Sequence, residues 1–326
     1  MRTDEVAPGI HRIESVLGPR PFAQYLLWGG AGGRSLLVDT GVLATPEEVI
    51  LPALGEIGLD PANLDYVLIS HADVDHFGGN DRIRAAAPRA IFCAHGADAP
   101  WIGDRERILR ERYGWYARHG AAADYDSETK AWLRGAMAQD VPVDLELAGG
   151  ERFRLGSELT VEVLSLPGHS RGHIGLWEPA WRTAIVIDAV LGGGLLDNHG
   201  TVIHPPPYFD AAAYEATVRR LQALRPRRLL TAHYAVLEGA EVDEFLAESA
   251  AFVGRAREAV GAALVAEGEL TLGGLLERLS PTLGPFSSMA NELCGPLLAH
   301  LDELVASGRA EEVAGQESPV WRVVRR

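Results

Sequence analysis

The feature that most constrains this chain is "LDYVLISHADVDHFGGN", residues 64–80, where an apolar run ends directly in His71, Asp73, Asp75 and His76. Two imidazoles and two carboxylates at the end of a buried strand are costly unless something compensates them. At a strand end, side chains fan out instead of alternating across a sheet, so ligands spaced H-x-D-x-D-H can converge on a metal ion. An ordinary solvated turn does not favour two histidines.

Three later segments repeat the context, each an apolar run ending in a candidate ligand: "LSLPGHSRGH" supplies His169, "AIVIDAV" supplies Asp188 and "LLTAHYAV" supplies His233. Asp188 follows four apolar residues, where a cation is the natural compensation for a carboxylate. Around these, short apolar runs with turn signals ("GIHRIESV", "AQYLLWGG", "SLLVDTG") read as strands. "TPEEVILPALGEIGL" reads as a helix with Thr45 as N-cap, Pro46 at its first position and Glu48 closing a capping box. "GGNDRIRAAAP" reads as a short helix ending at Pro88, followed by the strand "RAIFCAH". Strands then return in "ELTVEVLSLPGHS", "HIGLWEP" and "RTAIVID", with a helix over 210–223 before "RRLLTAH". Strands alternating with helices at this spacing indicate an α/β fold with helices layered on sheet.

Residues 97–140 interrupt that rhythm with a helix-like stretch rich in aromatics and charge, including Trp101, Tyr113, Trp115, Tyr116 and Trp132. It reads either as a surface helical pair with its own small core or as a lid over a pocket. From about 240 the pattern turns helical and closes with two β-like stretches around a polar turn, in "GRAEEVAGQESPVWRVV", as a winged-helix module would. The predicted division is therefore 1–240 and 241–326. Residues 251–326 hold seven arginines against ten acids, which argues against a DNA-reading wing and for packing or homodimerisation.

The order of ligand segments resembles the metallo-β-lactamase fold superfamily, whose pattern is H-x-H-x-D-H, then a histidine in P-G-H-[ST]-x-G-[HS], then an aspartate and a final histidine. The resemblance covers roughly residues 8–240. It implies a four-layer αββα sandwich with two divalent metal ions on loops at one sheet edge. His71, residue 73 and His169 would hold the first ion, and Asp75, His76 and His233 the second, with Asp188 bridging. Asp39, in "LLVDTG", would orient the metal loop. His173 matches the second histidine of the turn, which in glyoxalase-like members is not a ligand; a packed histidine and a catalytic group are both open. His199 and His204, in a Gly/Pro-rich loop, are candidates for the pocket mouth or the surface. The implied reaction is hydrolysis of an ester, thioester, lactone, amide or phosphoester by a metal-bridging hydroxide, with Asp75 doubling as ligand and proton acceptor.

Asp73 departs from the pattern, which has histidine there. If it ligates, three carboxylates meet two dications, and the site carries one net positive charge where the ordinary set carries two. The set also shifts toward iron or manganese and away from the zinc the resemblance implies. The flavodiiron branch has a glutamate there, so a di-iron protein that binds or reduces O2 or NO is the alternative, although no flavodoxin domain follows. A third reading is a metal-dependent binding or scaffold protein.

Composition narrows the partners. With 326 residues and 47% hydrophobic content, the chain can bury a sizeable core. A net charge of −15 disfavours a nucleic-acid backbone, and a small-molecule substrate is expected. No run reaches the ~18 apolar residues of a membrane span, no secretory leader is visible, and the two cysteines, Cys93 and Cys294, are too sparse for a disulfide framework, so a cytoplasmic location is expected. Lys130 is the only lysine, which reads as the codon bias of a GC-rich bacterial genome.

Overall fold

The computed structural model describes residues 1–313 and 318–324. Seven strands form the first sheet in chain order: β1 (Arg2–Ala7), β2 (Ile10–Leu17), β3 (Arg20–Trp28), β4 (Ser35–Val38), β5 (Tyr66–Leu68), β6 (Ile91–His95) and β7 (Leu145–Leu147). β1 to β4 pair antiparallel through short turns, and β4 to β7 run parallel because helical segments return the chain. The second sheet is built from β8 (Arg152–Arg154), β9 (Thr160–Ser165), β10 (Ile174–Glu178), β11 (Thr183–Ile187), β14 (Arg228–Thr231) and β15 (Leu237–Glu238), with β11 and β14 parallel across the helix Ala211–Leu224. Between them, β12 (Leu195–Leu196) and β13 (Val202–His204) form a hairpin beside the site.

Alternation along the strands explains the layering. In β3, Tyr25 and Leu27 point into the core between the sheets, with Val161, Val163, Ile174 and Leu176 from the second sheet. Leu26, one position away, joins Leu37, Val67 and Phe92 on the outer face, beneath Ala53, Leu54 and Ile83. On the opposite outer face Leu164, Val186 and Leu229 meet Tyr214, Val218 and Leu221 of the helix Ala211–Leu224. The result is an αββα sandwich.

The 28-residue helix Ala240–Glu267 packs on Ala211–Leu224, followed by the helices Leu272–Leu283 and Cys294–Ala306. β16 (Glu269–Thr271), β17 (Ala310–Val313) and β18 (Val320–Val323) form a small antiparallel sheet, so the two β-like stretches at the end pair as read, with a third strand added. The polar turn between them falls at 314–317, outside the described residues. Leu272, Leu275, Leu297 and Trp321 share one continuous core with the outer helices. No helix among the described residues is long and apolar enough to cross a membrane.

Two local readings change. Thr45 does not cap its helix: it is itself helical, and its hydroxyl accepts from Val42 N at 3.1 Å, while Pro46–Ile50 winds as a wide turn before the α-helix Leu51–Ile57. Nor is 97–140 a helical pair with a private core. It is a chain of short helical pieces, among them Ala99–Ile102 and Arg105–Ile108, plus the longer helix Ser127–Gly135, and its Ile108, Tyr113, Tyr116, Tyr125 and Leu133 belong to the main outer core.

Candidate metal centre

All four ligand segments leave their strands at one end of the sandwich: His71 after β5, His169 after β9, Asp188 after β11 and His233 after β14. Two strained non-glycine residues aim the carboxylates. Asp39, beyond β4, has φ 64°, and Ile187, immediately before Asp188, has φ 50°. A β-branched residue in that region costs on the order of 1–3 kcal/mol, which the surrounding core must offset. The glycines of "DHFGGN" have a steric reason, since a Cβ on Gly79 would stand 2.4 Å from the Thr40 carbonyl oxygen. Gly168, at φ 133°, lets the "PGHS" turn pass within 2.5 Å of the Tyr214 backbone, again measured to a Cβ it lacks.

Each ligand histidine is anchored through Nδ1. His76 Nδ1 lies 2.8 Å from Asp39 Oδ2, and His71 Nδ1 lies 2.9 Å from Ser70 Oγ, which donates to the same Asp39 carboxylate at 2.8 Å. His169 Nδ1 donates to the Pro207 carbonyl at 2.7 Å and His233 Nδ1 to the Pro21 carbonyl at 3.1 Å. That fixes the tautomer and turns every Nε2 toward the site, the usual support of a metal-ligating imidazole. Asp39 thus holds His76 directly and His71 through Ser70.

The Nε2 atoms of His71, His76 and His169 and Oδ1 of Asp188 are buried with no hydrogen-bond partner. Leaving four such atoms orphaned costs roughly 1–3 kcal/mol each, so the set fits cations. His71, His169 and Asp188 form one trio and Asp75, His76 and His233 another, with ligand atoms of each trio within 4.8 Å of one another. Asp188 Oδ2 is also 3.3 Å from Nε2 of both His76 and His233, which places it between the trios. Burial lowers the His76 imidazole pKa, but Asp75, Asp188 and Asp39 outweigh burial and raise it well above the usual value. Burial likewise raises the Asp188 carboxyl, while His233 and His76 hold it well below the usual range.

Asp73 stands beside the first trio. Its Oδ2 is 3.2 Å from His169 Nε2 and 3.7 Å from His71 Nε2, near the roughly 3.3–3.4 Å between ligands on a tetrahedral ion with 2.0–2.1 Å bonds. Its Oδ1 meets Arg112 at 3.2 Å and accepts from Tyr113 Oη at 3.3 Å. Burial would raise the Asp73 carboxyl, but Arg112, then His169 and His71, hold it well below the usual range.

Several residues here carried no sequence signal. Arg112 is buried and shared with Glu292, 3.6 Å away, which accepts from Tyr116 Oη at 2.6 Å and from Tyr125 Oη. Asp98 is fully buried and ties the two metal loops together, accepting from Ala72 N (3.1 Å), Gly172 N (2.8 Å) and Ser170 Oγ (2.6 Å). Arg20 lines the cavity 3.9 Å from Asp75. An acid followed by Ala-Pro, or one arginine among many, has nothing in its neighbours to mark it.

The cavity over the site, about 50 Å³, is lined by Asp73, Asp75, His169, Asp188 and His233, with Tyr113, Trp132 and Leu133 from the 97–140 segment and Met289 and Glu292 from the C-terminal region. His204 lines it too, its pKa pushed down to about 3 by burial and then by Arg20, whereas His199 is exposed on the loop before it. His173 is fully buried and stacked 4.7 Å from the His71 ring; neither of its nitrogens has a hydrogen-bond partner, and it is absent from the cavity wall.

This fold and this convergence of ligands define a class of protein. The family model of the metallo-beta-lactamase superfamily matches residues 17–233, and the chain belongs to that family. Among its relatives, a hydroxyacylglutathione hydrolase of Fuscovulum blasticum is 26% identical over 215 residues, covering 66% of this chain and 63% of that protein. The acyl-coenzyme A thioesterase MBLAC2 of Gallus gallus is 27% identical over 210 residues, covering 62% and 63%. The chain thus spans a little under two thirds of the length of these relatives. A metallo-beta-lactamase family protein of Thermus thermophilus shares the fold along 98% of this chain and 100% of its own, with a TM-score of 0.73 at 21% identity. A beta-lactamase domain protein of Burkholderia ambifaria does so along 99% and 95%, with a TM-score of 0.71 at 21% identity.

Proposed function

We propose that the protein is a metal-dependent hydrolase of thioesters, with His71, Asp73, His169 and Asp188 holding one divalent ion and Asp75, His76, His233 and Asp188 the other. The observation that carries this reading is the set of anchored imidazoles whose Nε2 atoms, with Asp188, converge unpartnered. Two such ions supply Lewis acidity and an activated water. Asp75, partly open to the cavity, takes up the proton of the attacking water. Arg20 and His204 stand on its side, Arg20 as donor to a substrate oxygen and His204 as acceptor from a substrate hydroxyl. His204 stays neutral, and its Nδ1–H is spent on the Pro205 carbonyl at 2.6 Å, so its free nitrogen accepts.

The thioester assignment comes from the two relatives named above, whose names specify acyl groups carried on glutathione and on coenzyme A. It also suits the residues. A thiol, pKa about 8.5, leaves as thiolate without a strong acid beside it, and the phenol on the cavity wall, Tyr113, is kept protonated by burial and then by Asp73, to which it donates. We assign His173 a positioning role behind His71, not a proton-transfer role, because it is sealed from the cavity. Zinc follows from the family, and iron or manganese from the Asp73 oxygen donor. Arg112 and Glu292 cancel in charge beside Asp73, so the site keeps the weaker positive field of a three-carboxylate set.

The test is thiol release from short acyl thioesters of glutathione and coenzyme A, measured for protein loaded separately with zinc, iron and manganese. Turnover that disappears in Asp188→Asn supports the reading. No thioester turnover with any metal, together with a di-iron absorption band and oxygen or nitric oxide consumption, would replace it with the redox reading.

A further inference from the structure

A second cavity, about 280 Å³, lies against the back of the metal centre, between the 97–140 segment, the His169–Ser170–Arg171 turn and the helix Cys294–Ala306. It touches the first cavity through shared His169, and the Asp73–Arg112 pair separates the two, Asp73 lining one and Arg112 the other. Its walls combine two kinds of surface. Trp101, Trp115 and Phe209 supply flat apolar faces, and Arg112, Arg118 and Arg171 supply guanidinium groups.

The three arginines differ in what they have left to offer. Arg112 is taken by Asp73 and Glu292 and stacks 4.5 Å from the Phe209 ring. Arg118 lies over Trp115 at 5.0 Å and spends Nε on His119, leaving its terminal N–H groups free. Among the described residues, neither Arg118 nor Arg171 has a carboxylate within ion-pair distance. Glu111, itself on the cavity wall, is already engaged by Arg107, Arg110 and Trp101 Nε1. A cavity roughly twice the ~150 Å³ that holds benzene is large enough for a two-ring group. Arg118 and Arg171, both solvent-exposed at its rim, offer guanidinium donors to a carboxylate, and the rings match a flat apolar body. Asp302, on the same wall and close enough to Arg118 to feel its charge, disfavours a second negative charge.

We propose that this second cavity is a binding site for a monoanionic aromatic carboxylate, held by Arg118 and Arg171 and stacked on Trp115. The proposal stands apart from the thioester reading, since binding there needs no turnover. Such a carboxylate could be the acid end of a substrate or product, or a separate small ligand; the chemistry of recognition is the same.

The experiment is calorimetric titration of the full-length metal-loaded protein with 2-naphthoate and with its neutral analogue 2-naphthalenemethanol. The expected result is one naphthoate per chain, at least tenfold tighter than the alcohol. Arg118→Ala and Arg171→Ala should each weaken naphthoate at least fivefold without changing the alcohol, and Trp115→Ala should weaken both, all with metal content unchanged. Competitive inhibition of thioester hydrolysis by naphthoate identifies a substrate or product site; binding without competition identifies a separate ligand. No naphthoate binding at millimolar concentration, equal binding of the two compounds, or naphthoate binding that all three substitutions leave unchanged would overturn the proposal. The last result would place the carboxylate on the metals instead.

Discussion

At the residue scale, Asp73 shows how a departure from a family pattern is accommodated. Its second oxygen faces the metal position, and its first is held by Arg112 and Tyr113, from a segment some forty residues away. Arg112→Met should strip Asp73 and Glu292 of their shared guanidinium, leaving Glu292 a buried charge held by two tyrosine hydroxyls, and cost about 3–5 kcal/mol in a urea unfolding experiment on metal-free protein. Asp73→Ala should instead lower occupancy of the first site while sparing the second, read as metal content after desalting. Asp98→Ala removes the acceptor that joins the two metal loops, so zinc affinity in a chelator competition should fall about 10–100-fold. The histidines and Asp188 were legible in the sequence because a polar ligand at the end of an apolar strand is conspicuous. Arg112, Glu292 and Asp98 were not, because each gains its meaning from partners far along the chain, 176 positions apart for Tyr116 and Glu292, that only folding brings near.

At the scale of elements, the strands were readable from alternation and the irregular 97–140 segment was not. Its turns are set by tertiary contacts, among them Tyr116 and Tyr125 on Glu292 and His119 between Trp115 and Trp321, and not by a local period. Thr45 shows the same competition in miniature: a good capping residue was drawn off by a nearer amide. His119 gives this junction a pH dependence. Burial and then Arg118 lower its pKa to about 4, against 6.5 in the unfolded chain. The folded state therefore binds fewer protons between those values, so the stability present above pH ~6.5 is lost as pH falls toward 4. The full linkage is about 3 kcal/mol, and solvent screening brings the expected loss to about 1–2 kcal/mol. His119→Gln should flatten that part of the stability curve relative to wild type, measured as urea midpoints at pH 7.5 and pH 5.

For the whole molecule, the C-terminal helices complete the outer core, and the connection between the last two supplies Met289 and Glu292 to the cavity wall. A chain ending at residue 240 would expose the apolar face covered by Leu272, Leu275 and Leu297 and strip Arg112 of one carboxylate. It should fail to melt cooperatively in calorimetry; a cooperative transition with bound metal would show instead that residues 1–240 fold alone. Everything proposed for the first cavity depends on two cations held by these seven side chains. Elemental analysis of protein saturated with zinc and then desalted tests that most directly. The expected result is two ions per chain, falling below one in Asp188→Asn because that carboxylate serves both positions. Saturation at one ion or none in the wild type, or two ions retained in Asp188→Asn, would contradict it.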